Sequence, residues 1–262
     1  MNFTFISLFP EIIRSSLNES ITKRAIEKSL ISFETINPRD YLKTKERIDD
    51  KVYGGGPGML LKSEPLMKAI DDATSKFDRS ESKIIYLSPK GTPFTQEIAE
   101  TLVLEKNIIF ICGRYEGIDQ RIIDHYVDDE ISIGDYVLSG GELPALVVFD
   151  AISRNIEGVL GDDASLEQES FSGGLLEYPQ YTRPEKNKIG KVPGVLLSGN
   201  HDQIKKWKRK HSLGKTFLNR PDLLKLHELN EQDTEQIKEF LSELGYESDR
   251  IAGLLGIINN EN

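Results

Sequence analysis

This 262-residue chain lacks several common features, and each absence narrows what it can be. It holds a single cysteine, Cys112, so no internal disulfide can form, which fits a reducing compartment. No stretch approaches the ~18 consecutive apolar residues of a membrane-spanning helix. The opening run, Met1-Asn2-Phe3-Thr4-Phe5-Ile6-Ser7-Leu8-Phe9-Pro10-Glu11, has no basic segment of the secretory kind and reads as a strand entering a helix. Four histidines (His125, His201, His211, His227) and Cys112 show no metal-ligand spacing, so no protein-bound metal site is predicted. Internal repeats and low-complexity tracts are also missing. These features predict a soluble, cytoplasmic protein with no membrane partner.

The charge that is present is unevenly spread. The chain carries a formal −10, which argues superficially against a nucleic-acid partner. Yet residues 181–220 hold eleven Lys/Arg (Arg183, Lys186, Lys188, Lys191, Lys205, Lys206, Lys208, Arg209, Lys210, Lys215, Arg220) against Glu185 and Asp202. That segment is +9 and the remainder −19, and Trp207 and His211 interleave with its cations. Such segregation gives one basic surface able to meet a polyanion, although a charge run more often marks a solvated helix face.

The first ~160 residues alternate strand and helix patterns, as a parallel sheet with helices on both faces requires. Strands are predicted at 2–8, 30–36, 83–87, 107–111 and 130–133. Ile84-Ile85-Tyr86-Leu87 and Ile108-Ile109-Phe110-Ile111 are continuously apolar, as strands buried on both faces should be. Helix starts are marked by Pro10, by Ser63-Glu64-Pro65 and by Thr95 ahead of residues 96–104. Unusual loops are predicted at 88–93, 113–117 and 134–141. In open α/β sheets a ligand sits beyond the carboxyl ends of the strands, so these loops are the expected walls of a site. Residues 161–172, acidic and small, read as a flexible linker. Beyond it, Asn200 is positioned to cap a helix through residues 203–210, and residues 222–241 supply one or two more.

The stretch 131–161 is the most informative. A strand breaks at Gly134, and Gly140-Gly141 opens a long apolar helix that carries Arg154. Its spacing is neither the dinucleotide fingerprint nor a phosphate loop, and a nucleoside-like ligand held mainly through backbone fits best. Gly214-Lys215-Thr216 ends like a phosphate loop, but Arg209 stands where the first glycine is required. The run Gly54-Gly55-Gly56-Pro57-Gly58 suits either close approach by RNA or cofactor, or a flexible connector.

These blocks, with Gly54–Met59, Leu87-Ser88-Pro89-Lys90-Gly91, Cys112-Gly113-Arg114-Tyr115-Glu116-Gly117-Ile118-Asp119, Tyr178-Pro179-Gln180-Tyr181-Thr182-Arg183-Pro184 and Leu197-Ser198-Gly199-Asn200-His201, resemble the bacterial tRNA (guanine-N1)-methyltransferase family along most of the chain. The resemblance implies methyl transfer from S-adenosylmethionine to N1 of the guanosine 3′ of the anticodon, position 37 of tRNA. The rival reading is a noncatalytic RNA-binding protein that has kept the scaffold. It further implies an α/β fold: a knotted, parallel-sheet (SPOUT-like) cofactor domain over residues 1–160 and a small, mostly helical, basic tRNA-binding domain over 173–262. A homodimer, and a magnesium requirement whose ligands no motif reveals, are also implied.

For the site, the resemblance implies cofactor contacts from Tyr86, Leu87, Ser88, Gly113, Glu116, Ile133, Gly134, Asp135, Tyr136, Val137, Leu138, Gly140, Gly141 and Pro144. Read alone, Gly113 and Gly134 are ordinary strand-to-helix turns; together with Gly140-Gly141 they favour a ligand pocket. Arg154 reads equally as a partner for Asp150 one turn earlier, and the resemblance makes it catalytic. Glu169 reads by composition as a solvated acid. The resemblance makes it the general base, with Glu where the family pattern has aspartate before Ser170-Phe171.

Overall fold

The computed structural model describes residues 1–161, 169–226, 229–247, 250, 251 and 253. The chain divides into two compact units, residues 1–163 and 164–262.

In the first unit the order is β1 (Asn2–Ile6), α1 (Pro10–Leu17), α2 (Ser20–Glu27), β2 (Ser32–Ile36), β3 (Asp49–Lys51), β4 (Met59–Leu61), α3 (Ser63–Thr74), β5 (Ser82–Pro93), α4 (Gln96–Leu102), β6 (Asn107–Ile111), α5 (Gln120–Tyr126), β7 (Asp129–Ser132) and α6 (Glu142–Arg154). Five strands form one sheet in the order β2-β1-β6-β5-β7, every neighbouring pair parallel. The helix signals work locally as expected: Pro10 opens α1, and the Thr95 hydroxyl accepts from the Ile98 amide at the start of α4. Asp119 likewise caps α5 by accepting from the Arg121 amide, whereas α2 has no side-chain cap.

The continuous apolar runs are the middle of the sheet, covered on both faces. One face places Phe3, Phe5, Ile85, Ile108 and Phe110 against Ile13, Leu17, Ala99, Val148, Phe149 and Ile152 of α1, α4 and α6. On the other, Ile6, Ile84, Ile109 and Ile111 meet Leu66, Ala69, Ile70 and Ile122 of α3 and α5. Phe3 and Phe149 meet edge to face at 4.7 Å between ring centroids. Each such fully buried side chain contributes on the order of 1.5–3 kcal/mol, so sequence alone commits these strands to the interior.

One strand differs from expectation. Residues 88–93 do not form a free loop; β5 continues to Pro93. Ile131 of β7 is paired with both Leu87 and Thr92, so residues 88–91 leave the ladder as an excursion and the strand then rejoins it. A Cβ on Gly91 would lie 2.4 Å from the Glu130 backbone, so the excursion can return only through glycine. Gly54–Gly58 is likewise neither a strand nor a free tether. It turns the chain between β3 and β4, and β4 is pinned to the next loop by Glu116 N donating to Met59 O and Leu61 N to Gly117 O.

In the second unit the described elements are β8 (Lys186–Asn187) and β9 (Gly190–Lys191), a short antiparallel pair, then α7 (Gly194–Leu197), α8 (His201–Asn219), α9 (Pro221–Lys225) and α10 (Glu231–Glu243). The Asn200 side chain caps α8 by accepting from the Gln203 amide, and α8 runs nine residues past the expected end. Leu213, Phe217, Leu224, Ile237, Phe240 and Leu241 form its core with Leu175. Gly214, the first residue of the loop-like Gly-Lys-Thr, lies inside α8 against the Phe240 ring. Of the segment expected to be a flexible linker, residues 162–168 lie outside the described residues. Residues 169–172 form a turn in which Ser172 Oγ donates to Glu169 O at 2.8 Å and Phe171 N to Leu175 O at 2.8 Å.

Candidate functional site

The chain steps from β5 to β6 on one side and then crosses to pair β7 on the other side of β5. Beyond the carboxyl ends of these three strands the sheet must leave a crevice. A cavity of about 270 Å³ lies there. Its floor is the end of β5 and the excursion (Tyr86, Leu87, Ser88, Pro89, Lys90), one wall is 113–117, and the other is Ile133, Gly134 and 136–141, with Pro144 at the first turn of α6.

Every residue named from the sequence as a cofactor contact lines this cavity except Asp135, whose side chain is exposed and outside the lining. Pro89, Lys90, Arg114, Tyr115, Gly117 and Ser139, from the loops expected to wall the site but not named singly, line it as well, and so do Ile131 and Ser132, which lie outside those loops.

The two walls are joined backbone to backbone. Gly141 N donates to Gly113 O at 2.9 Å, and Arg114 and Gly140 form an isolated antiparallel bridge. A Cβ on Gly141 would stand 2.8 Å from the Cys112 Cα, so only glycine lets the walls come this close. Side chains complete the closure. Glu142, the first residue of α6 and 1% exposed, pairs through Oε2 with Arg114 Nη2 at 2.8 Å. Ser7 Oγ donates to Glu142 Oε1 at 2.7 Å, and Arg114 Nη1 donates to the Ser139 carbonyl at 3.1 Å. The Arg114 guanidinium also lies 4.4 Å from the centre of the Phe9 ring. Arg114 belongs to the block Cys112–Asp119, but its partner stands 28 positions away, and no local pattern announces that pairing.

Burial holds the Tyr86 phenol of the lining and the neighbouring Cys112 thiol neutral. Burial, with the charge of Glu130 second, pushes the Tyr86 phenol up to about 12. Burial also raises the Cys112 thiol well above its ordinary range, helped by Glu142. The cavity therefore offers backbone amides and carbonyls, apolar Leu87, Ile133 and Leu138, and the Glu116 carboxylate, a lining suited to a flat heterocycle with a polar tail.

Arg154 is the last residue of α6 and half-buried, whereas Asp150 is exposed. α6 is not buried all round: Leu143 and Val147 are 56% and 49% exposed, and Tyr136, Val137 and Leu138 on the cavity wall are exposed as well. Glu169 lies in the second unit. It lines a different cavity of about 740 Å³ with Glu177, Tyr178, His201, Lys205, Lys208 and Arg209.

The basic segment is less uniform than its composition. Arg209 forms two 2.9 Å bonds with the buried Asp233, Lys210 pairs with Glu243 at 2.6 Å, and Arg220 pairs with Asp222. Lys208 lies 4.4 Å from the centre of the Tyr178 ring. Arg183, Lys186, Lys188, Lys191, Lys205 and Lys206 are exposed, with no ion-pair partner among the described residues. With Lys215, which is likewise exposed on α8 and has no ion pair among the described residues, these carry the available positive charge. Among the described residues no group of three His, Cys, Asp or Glu side chains is placed to hold a metal ion, and no helix is long and apolar enough to cross a membrane.

Comparison with known proteins points the same way. The family described as tRNA (Guanine-1)-methyltransferase TrmD matches residues 1–226. Proteins named tRNA (guanine-N(1)-)-methyltransferase are similar over nearly their whole length. One from Vibrio campbellii is 49% identical over 91% of this chain and 96% of its own. Another from Shewanella sediminis is 50% identical over 92% and 100%, and one from Bacillus subtilis (strain 168) 49% over 93% and 100%.

Proposed function

Because the chain belongs to the tRNA (guanine-1)-methyltransferase family, we propose that it transfers a methyl group from S-adenosylmethionine to N1 of the guanosine 3′ of the anticodon, position 37 of tRNA. The observation that carries this reading is the cavity at the β5, β6 and β7 ends, where residues from three distant segments meet as a lining suited to a nucleoside. Its residues fit the cofactor: glycine walls that a Cβ would obstruct, apolar faces for an adenine, and backbone polar groups for its edge. Bound there, S-adenosylmethionine supplies an activated methyl group on a sulfonium.

The chain's own residues supply alignment, a base and an anion stabiliser. Methylating guanine N1 requires removal of its proton, and the resulting charge spreads to O6. Glu169 takes that proton, and Arg154 donates to the oxygen where charge develops. Glu keeps the carboxylate chemistry with one more methylene than aspartate. The two residues stand in different units. The target base must leave the anticodon-loop stack before its N1 is reachable. Residues 173–262, with the seven available cations, bind the tRNA, and residues 161–172 link them to the cofactor domain.

The backbone closure of 134–141 onto 113, and the return of β5 onto β7, support a knotted (SPOUT-like) path. The exposed apolar surface of α6 and residues 136–138 supports a homodimer, and the tRNA substrate supports a cytoplasmic location. No residue is assigned to magnesium. Methyl transfer from labelled S-adenosylmethionine to unmodified tRNA, followed by nucleoside analysis of the product, tests the reading. N1-methylguanosine at the anticodon-flanking position is expected. Binding of tRNA without any affinity for S-adenosylmethionine would replace it with the noncatalytic alternative.

A further inference from the structure

Two of the cations that remain available in the second unit, Lys205 and Lys206, lie on α8 next to an aromatic array that neither the cofactor site nor the proposed catalytic residues use. Tyr181, 49% exposed, lies with its ring centroid 6.3 Å from that of Trp207, tilted by 57°. Trp207 is on α8, directly between the exposed Lys206 and the half-buried Lys208. Behind it, one helical turn later, His211 packs at 4.0 Å, and His211 meets Phe240 edge-on at 5.3 Å. Phe240 belongs to the buried core shared by α8 and α10. The Trp207 ring is thus held in place by a row of rings rooted in the core, rather than being a mobile surface side chain. Burial, and secondarily Lys210, lowers the pKa of His211, so the buttress is neutral at pH 7 and packs as an aromatic ring.

We propose that the Tyr181–Trp207 step stacks an unpaired nucleobase of the bound RNA, with Lys205 and Lys206 and the lysines of the β8–β9 turn taking the flanking phosphates. This rests on the tRNA reading and adds to it a base-stacking subsite. A ring face fixed before binding loses little freedom when a base lands on it, and every base offers a π-face, so recognition there is sequence-tolerant. Neighbouring uncompensated lysines supply what a polyanion needs and an uncharged ligand does not. A purely structural cluster would have no reason to leave Tyr181 half in solvent beside exposed cations.

Trp207 is the only tryptophan in the chain, so its emission reports on this place alone. The intact protein is titrated with unmodified tRNA, with an unpaired oligoribonucleotide, with S-adenosylmethionine and with polyglutamate. Both RNAs are expected to quench Trp207 saturably, and the other two to leave it unchanged. Tyr181→Ala should weaken RNA binding by about 5- to 150-fold, the usual worth of one stacked base, while Tyr181→Phe retains it. Trp207→Phe, which keeps a ring on the buttress, should retain most of the affinity. If tRNA binds and is methylated while Trp207 emission and the Tyr181→Ala affinity stay at their original values, the stacking step is refuted and the methyltransferase reading stands. Absence of both tRNA binding and methyl transfer would overturn both. An equal quench by polyglutamate would show that charge alone acts at the ring and would overturn the subsite.

Discussion

Glu142→Gln is the most incisive change that the cavity offers, because it keeps the shape and removes one charge. The Glu142 carboxylate, 1% exposed, binds Arg114 Nη2 at 2.8 Å and accepts from Ser7 Oγ at 2.7 Å. The Arg114 side chain is 19% exposed, so solvent can only partly replace the missing partner. Breaking a buried pair from one side typically costs 3–5 kcal/mol, and the partial exposure of Arg114 trims this to about 2–4 kcal/mol. In a unit of this size each kcal/mol moves the melting temperature by about 2–4 °C, so a fall of about 4–16 °C is expected. A second effect follows from position. Arg114 also holds the Ser139 carbonyl and crosses Gly140, so losing its anchor loosens the 134–141 wall. Affinity for S-adenosylmethionine should therefore fall as well. The double variant Arg114→Met, Glu142→Leu separates the two effects, since an apolar pair of similar volume often restores stability. It should recover melting temperature without recovering cofactor affinity. Thermal unfolding and calorimetric titration of the cofactor read both quantities. A Glu142→Gln protein that melts within a degree of the parent and binds cofactor equally would refute the clamp.

Other predictions follow from the remaining features. Arg154→Ala should slow methyl transfer by roughly 10²–10³ while leaving cofactor binding intact, and Glu169→Gln should abolish it where Glu169→Asp does not; normal single-turnover rates in either loss-of-function variant would remove that residue from the mechanism. Neutralising Lys186, Lys188, Lys191, Lys205 and Lys206 should flatten the salt dependence of tRNA binding, by up to ~0.7–0.9 in the log–log slope for each phosphate that the protein no longer neutralises; an unchanged slope would mean these cations face solvent in the complex. Because burial raises the Cys112 thiol, its contribution to stability is complete below the unfolded value of about 8.5 and is lost as pH rises beyond it, at up to about 1.4 kcal/mol per pH unit. Urea unfolding between about pH 8.5 and 10 should show that fall, and Cys112→Ala should flatten it; parallel slopes would contradict the assignment. Val137→Asp with Val147→Asp, both placed on exposed apolar surface, should convert a dimer to monomer by light scattering; an unchanged mass would locate the interface elsewhere.

The sequence determined what depends on neighbours along the chain. Apolar runs too long and too continuous for a surface strand had to become β5 and β6, buried on both faces. Thr95, Asn200 and Asn230 cap helices because the groups they satisfy lie three residues away. The glycines near 113, 134 and 140 were legible because close approach excludes every other residue, and so was most of the cavity they line. Tertiary structure decided what depends on residues brought together from far apart. Only the order β6-β5-β7 places 86–90, 113–117 and 133–141 around one space, and only that placement pairs Arg114 with Glu142. The same holds for charge. Composition counts eleven cations in residues 181–220, but Asp233, Glu243 and Asp222 neutralise Arg209, Lys210 and Arg220, and an ion pair across 24 or 33 positions leaves no local signature. Charge along a sequence is a sum. Charge on a surface is what remains after folding has matched each ion to the partner it can reach.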